Sequence, residues 1–198
     1  MIAGILKLIT VIFTAAVAEN ALFGRAFLTR KMLFPMRKLE IAVFSVVITL
    51  LAAVSGFFCY FFDIYLLYPN GVPLYLRSVL YLAVIAAVHT GLSYLASRHV
   101  GRNYELIRNV VLLAGFNAAV LGTVLLCSIN RFTLLERLAY FAGTGIGVTM
   151  SLILINVGKQ DMMTSNVPRA FRGLPITLIY IGILSLAIYG LIGHQLPY

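Results

Sequence analysis

Six apolar stretches, each long enough to cross a bilayer, leave this chain little freedom to fold in any other way. They are Ile2–Ala18, Ile41–Phe62, Leu74–Ala96, Leu106–Ile129, Leu138–Val157 and Leu174–Gly193. A spanning helix takes about 20 predominantly apolar residues. In lipid, each backbone N–H and C=O must find its partner within the protein, which favours helices. The stretches do not alternate polar with apolar, as barrel strands do. The expected fold is an all-α, polytopic membrane protein in a single membrane domain spanning residues 1–198, because the connections are too short for a second domain. Composition agrees: 62% of the 198 residues are hydrophobic and 11% charged, too few charges to cover a soluble surface. Soluble enzymes, disordered chains and disulfide-rich secreted modules are excluded. The first stretch has signal-peptide features, with Lys7 ahead of an apolar run and Ala16-Val17-Ala18 resembling a cleavage site. Its counterpart in the second half of the chain argues for a retained span instead.

The net charge of +9 serves orientation in such a chain. Arg25, Arg30, Lys31, Arg37, Lys38, Arg98, Arg102, Arg108, Lys159, Arg169 and Arg172 fall on one side, and Lys7, Arg77, Arg131 and Arg137 on the other. The richer side is expected in the cytoplasm and both termini outside, in a prokaryotic cytoplasmic (inner) membrane. No basic run carries the aromatic interleaving of a nucleic-acid surface, so the bilayer and other membrane chains, not nucleic acid, are the expected surroundings.

The chain also resembles itself. Val72-Pro73-Leu74-Tyr75-Leu76-Arg77 and Val167-Pro168-Arg169-Ala170-Phe171-Arg172 both read Val-Pro-x-x-x-Arg and lead into apolar helices. Asn20-Ala21-Leu22-Phe23-Gly24 after the first span matches Asn117-Ala118-Ala119-Val120-Leu121-Gly122 in the fourth. Two inverted three-helix repeats, about residues 1–100 and 101–198, follow, with interrupted first and fourth helices. Asn20 and Asn117, with Glu19 beside the first, are therefore candidate functional polar residues. An amide in an apolar helix needs a partner. That partner is either a neighbouring helix or a ligand in a cavity. Arg77 and Arg172 are candidates by the same symmetry, with helix-end carbonyls or the membrane boundary as their expected partners.

No metal-ligand pair, catalytic spacing or phosphate loop stands out. His89 is expected to hydrogen-bond between helices, and Gly143-Thr144-Gly145-Ile146-Gly147 to let helices approach closely. Cys59 and Cys127 are expected as small buried side chains, a disulfide between them being the alternative.

These residues resemble a family. Glu19-Asn20, Lys38-Leu39-Glu40, Asp63, Tyr75-Leu76-Arg77, Asn117-Ala118-Ala119-Val120-Leu121-Gly122 and Val167-Pro168-Arg169-Ala170-Phe171-Arg172-Gly173 are similar in type, order and spacing to the integral membrane subunits of Rnf and Nqr electron-transport complexes. The RnfA/NqrE branch fits better than its oppositely oriented sister, RnfE/NqrD. The resemblance implies a pair of oppositely oriented subunits holding a 2Fe–2S cluster between them by two cysteines from each, among flavin- and iron–sulfur-bearing subunits. The family's ligand positions here carry Arg30 (Lys31 with a one-residue shift) and Ala118. No cofactor is therefore expected on this chain, no catalytic residue is assigned, and Arg30 or Lys31 could pair with Glu19. The function implied is that of a non-catalytic scaffold or gating half of an inverted pair in a membrane electron-transport assembly. The alternative is a small-solute or ion transporter reusing the same scaffold.

Overall fold

The computed structural model describes residues 2–27, 36–99, 108, 111–112, 114–115, 117–164 and 167–193. Its main helices are α1 (Ile2–Phe13), α2 (Lys38–Phe62), α3 (Leu74–His99), α4 (Ala118–Ile129), α5 (Leu134–Thr164) and α6 (Leu174–Ile192). Four of them are long and apolar enough to cross a membrane. The other two, α1 and α4, are the shorter ones that the sequence marks as interrupted. A wider π-helical turn, Thr14–Ala18, extends α1, and a second, Asp63–Leu67, extends α2.

Helix α5 is the centre of the bundle: 61% of its span is buried, against 17% for α3 and 11% for α6. The outer helices thus present most of their apolar side chains outward, as helices that face lipid or another membrane chain do. Small residues explain how α5 takes its neighbours. A Cβ at Gly143 would clash with the Ile12 carbonyl oxygen, and one at Gly147 would lie 2.7 Å from that of Ala16. These two glycines, one helical turn apart, let α1 lie against α5. Gly145, on another face, makes room for Thr49 of α2. The Gly143–Gly147 segment is thus a packing surface, as its spacing suggests.

The contacts also fix direction. Lys7 meets Glu136, Ile12 meets Gly143, and Asn20 meets Gly147 and Ser151, so α1 and α5 run parallel. Met36 meets Asn156, and Gly56 meets Phe141, so α2 and α5 run antiparallel. His89 of α3 lies against Val111 and Gly115, while Tyr81 lies against Ser128 at the end of α4. His89 is thus a buried helix-to-helix hydrogen bonder.

The two Val-Pro-x-x-x-Arg segments share a side-chain tether but not a backbone: Arg77 lies in the first turn of α3, whereas Arg172 is extended (φ −64°, ψ 142°) after a 3-10 turn, Arg169–Phe171, and precedes α6. Arg77 donates from Nε to the Val72 carbonyl at 2.7 Å, and Arg172 from Nε to the Val167 carbonyl at 2.8 Å. The carbonyls of Pro73 and Pro168 each accept from the N–H three residues on. Arg77 thus satisfies a carbonyl that the start of α3 leaves outside its own ladder, and Arg172 one that lies ahead of the 3-10 turn. Arg137 does the same with Phe132 at the head of α5.

Candidate functional site at two helix interruptions

The π-helical turn closes on Glu19, whose N–H reaches back to the Thr14 carbonyl, and the chain then leaves the helix at Asn20. Asn20 is buried and its amide is fully used. Nδ2 donates to the carbonyls of Ala16 (2.8 Å) and Gly147 (3.1 Å). Oδ1 accepts from the N–H groups of Leu22 (2.9 Å) and Phe23 (3.1 Å) and from the Ser151 hydroxyl (3.0 Å). Asn20 therefore replaces the lost helical ladder and pins the break to the middle of α5.

The second interruption sits at Asn117, in an extended conformation (φ −97°, ψ 127°) just before α4. Its Oδ1 caps the helix by accepting from the Ala119 N–H at 3.0 Å. Its buried Nδ2 has no hydrogen-bond partner among the described residues. Along α3 this break lies between the levels of His89 and Tyr81, near the middle of the bundle's height. The two interruptions meet: the ring of Phe27, just past the first, packs where a Gly122 side chain would otherwise stand, one turn into α4.

Glu19 borders the first break. Its carboxylate accepts from the Tyr140 hydroxyl at 2.6 Å and pairs with Arg25 at 3.3 Å. Arg25, five residues nearer in the chain than Arg30, thus supplies the cation expected beside Glu19. Arg30 and Lys31 lie outside the described residues. Arg77 and Arg172 head their helices and do not join the central site.

The residues present do not fit a 2Fe–2S cluster. Iron in such clusters takes thiolates. Ala118, exposed beside Asn117, offers a methyl group. Cys127 stands nine residues further along α4, roughly 13 Å away by helical rise. Cys59 and Cys127 are both free and fully buried. Among the described residues no group of three or more His, Cys, Asp or Glu side chains converges.

Sequence reasoning missed a second polar centre. Asp63, fully buried at the end of α2, pairs with buried Arg137 of α5 at 2.6 Å. Its other oxygen accepts from the hydroxyls of Tyr81 on α3 and Ser128 on α4, the latter at 3.2 Å. One carboxylate thus ties four helices together. The Arg137 guanidinium lies over the Tyr60 ring, 5.0 Å from its centroid. Its Nη1 is buried without a hydrogen-bond partner among the described residues. Nearby, Lys7 and the Thr133 N–H both reach Glu136, at 2.5 and 2.8 Å. The available signal was an acid and a base bordering apolar runs, but such charges also mark ordinary span boundaries.

Comparison with known proteins follows the same lines. A family model described as "Rnf-Nqr subunit, membrane protein" matches residues 8–194. The chain is 30% identical over 157 residues to a subunit of the ion-translocating oxidoreductase complex of Pseudoalteromonas atlantica, covering 79% of this chain and 81% of that relative. It is 30% identical over 158 residues to the subunit of the same description from Vibrio campbellii, covering 79% and 82%. To a subunit of the Na(+)-translocating ferredoxin:NAD(+) oxidoreductase complex of Acetobacterium woodii it is 25% identical over 192 residues, covering 96% of this chain and 100% of that relative.

Proposed function

We propose, from the premise that the chain belongs to the Rnf-Nqr family of integral membrane subunits, that it is the scaffold or gating half of an inverted pair in a membrane electron-transport assembly. Its partner in this reading is a homologous subunit of opposite orientation, with flavin- or iron–sulfur-bearing chains alongside. The observation that carries the reading is the pair of helix interruptions at mid-height, joined through Phe27 and Gly122, with Ala118 exposed beside the second. Non-helical backbone at membrane depth is tolerated where protein or a watery cavity covers it. A second membrane chain across Asn117 and Ala118 would provide that cover. The arginine-to-valine-carbonyl bond shared by the two Val-Pro-x-x-x-Arg segments supports the inverted-repeat plan.

The role proposed is structural because the donor set lacks thiolates. Asn20, Glu19, Tyr140 and Ser151 hold the first break rigidly against α5. Such a chain could set the position of its partner's redox group without ligating it. Orientation follows the basic-residue bias, with both termini outside the cytoplasm.

Affinity purification of the tagged chain from its native membrane tests this. A homologous membrane subunit of opposite topology should co-purify with flavin- or iron–sulfur-bearing chains. A detergent-corrected mass of one 21.8 kDa chain with no companion would overturn it.

A second reading has one observation in its favour. The Asn117 Nδ2, without a hydrogen-bond partner among the described residues, lies at mid-height, where transporters of inverted-repeat design place their substrate sites. The relatives' descriptions speak of ion translocation. Solute or ion flux in proteoliposomes containing this chain alone would favour a transporter.

A further inference from the structure

The end of the bundle that carries Asp63 also carries two arginines without a matching acid. The turn between α2 and α3 puts Tyr68 at this end, and its hydroxyl donates to the Ser128 carbonyl at 2.9 Å. That bond anchors the ring to the top of α4. Arg77 stands over the ring with its guanidinium carbon 4.9 Å from the centroid. Arg131, in the turn between α4 and α5, stands 5.7 Å from the same centroid. Neither pairs with a carboxylate among the described residues: at this end Asp63 is taken by Arg137 and Glu136 by Lys7.

The Arg77 side chain is half-buried and tethered, whereas Arg131 is exposed, with its backbone fixed in a turn and its guanidinium resting on the Tyr68 ring. Arg77 is tethered through Nε to the Val72 carbonyl, which leaves its two Nη groups available to another acceptor. Arg131 sits in a short turn at φ 50°, a conformation few non-glycine residues adopt. Its N–H is bonded to the Ser128 carbonyl at 3.2 Å. Two guanidinium groups gathered on one anchored ring repel each other unless an anion joins them. The turns on either side connect apolar helices, so the cluster lies where lipid headgroups lie.

We propose that Arg77, Arg131 and Tyr68 form a binding site for the phosphate diester of an anionic phospholipid such as phosphatidylglycerol. Guanidinium groups present paired N–H donors that match phosphate oxygens. The Tyr68 ring holds the two donors at a fixed spacing, and the flanking apolar helix ends receive the acyl chains. Charge complementarity and depth together select a membrane lipid over a soluble anion. An arginine near an anionic surface is worth about a fivefold gain in binding, so two give about thirtyfold.

The test uses the full chain, purified in nonionic detergent and mixed with phosphatidylglycerol and phosphatidylcholine of identical acyl composition. Native mass spectrometry counts the lipids retained. Each single variant, Arg77→Gln or Arg131→Asn, should weaken retention of one phosphatidylglycerol about fivefold. Asparagine accepts the left-handed backbone at position 131, so the turn survives. The double variant should retain one phosphatidylglycerol fewer per chain, with phosphatidylcholine unchanged. Arg77→Lys, which keeps the charge but loses the planar fork and the Nε tether, should recover only part of the retention lost in Arg77→Gln, and an unchanged melting temperature of Arg131→Asn shows that the fold is intact. An unchanged phosphatidylglycerol count in the double variant would overturn the proposal. So would displacement of the lipid by equimolar inorganic phosphate, which would mark a free-phosphate site. Displacement by an acidic peptide would likewise assign the patch to a protein partner.

Discussion

Breaking the Asp63–Arg137 pair should destabilise the bundle more than any surface change. The pair is fully enclosed: the side chains are 0% and 1% exposed, with an Nη2 to Oδ2 distance of 2.6 Å. In Arg137→Gln the carboxylate keeps its two hydroxyl donors from Tyr81 and Ser128 but loses its counter-charge. In Asp63→Asn the cation is stranded, and an amide N–H₂ can be turned toward it. Removing one partner of a buried pair costs about 3–5 kcal/mol, chiefly from the charge left behind. The double variant Asp63→Asn/Arg137→Gln removes both charges and should recover part of that loss, giving a coupling of about 2–3 kcal/mol. Reversible unfolding in mixed detergent and dodecyl sulfate micelles reads all four corners of the cycle. Single-variant losses below about 1 kcal/mol, or strict additivity, would refute the reasoning.

Other outcomes follow from the same packing and hydrogen bonds. Gly143→Ala should cost about 1–3 kcal/mol in the same unfolding assay, because its Cβ runs into the Ile12 backbone, whereas Gly182→Ala, facing open space, should be near neutral. Asn20→Ala orphans the Leu22 and Phe23 N–H groups and should cost more than Asn117→Ala, which loses a single cap of about 1 kcal/mol. For orientation, a membrane-impermeant thiol reagent applied from outside should label a cysteine placed after Tyr198 and miss one placed at residue 102, and the reverse pattern would invert the proposed topology.

Much of the architecture was legible in the residues themselves. Apolar length gave the helices, because a bilayer dictates span length so directly. The breaks at Asn20 and Asn117 were visible as amides within apolar runs. Glycines Gly143, Gly145 and Gly147 were readable as a packing surface because a missing Cβ has few other uses in a spanning helix. Arg77 and Arg172 betrayed matching roles through their shared Val-Pro spacing. The Asp63–Arg137 centre was not readable in this way. Its members stand 74 residues apart, and each borders an apolar run where a charge ordinarily marks the end of a span. Only the packing of α2 against α5 brings them together and closes them off from solvent. The same holds for Arg77 and Arg131, which lie on different turns and meet only over Tyr68. Pairings across helices depend on which faces meet, and local sequence carries little of that information.

In the proposed role, this Rnf-Nqr family chain holds its place in an electron-transport assembly without ligating a cluster of its own. Iron content and EPR spectra, measured on the purified assembly with wild-type chain and with Cys59→Ser/Cys127→Ser, test it directly. The same iron per assembly and the same spectra are expected for both. Loss of a stoichiometric cluster on replacing those two cysteines would contradict it.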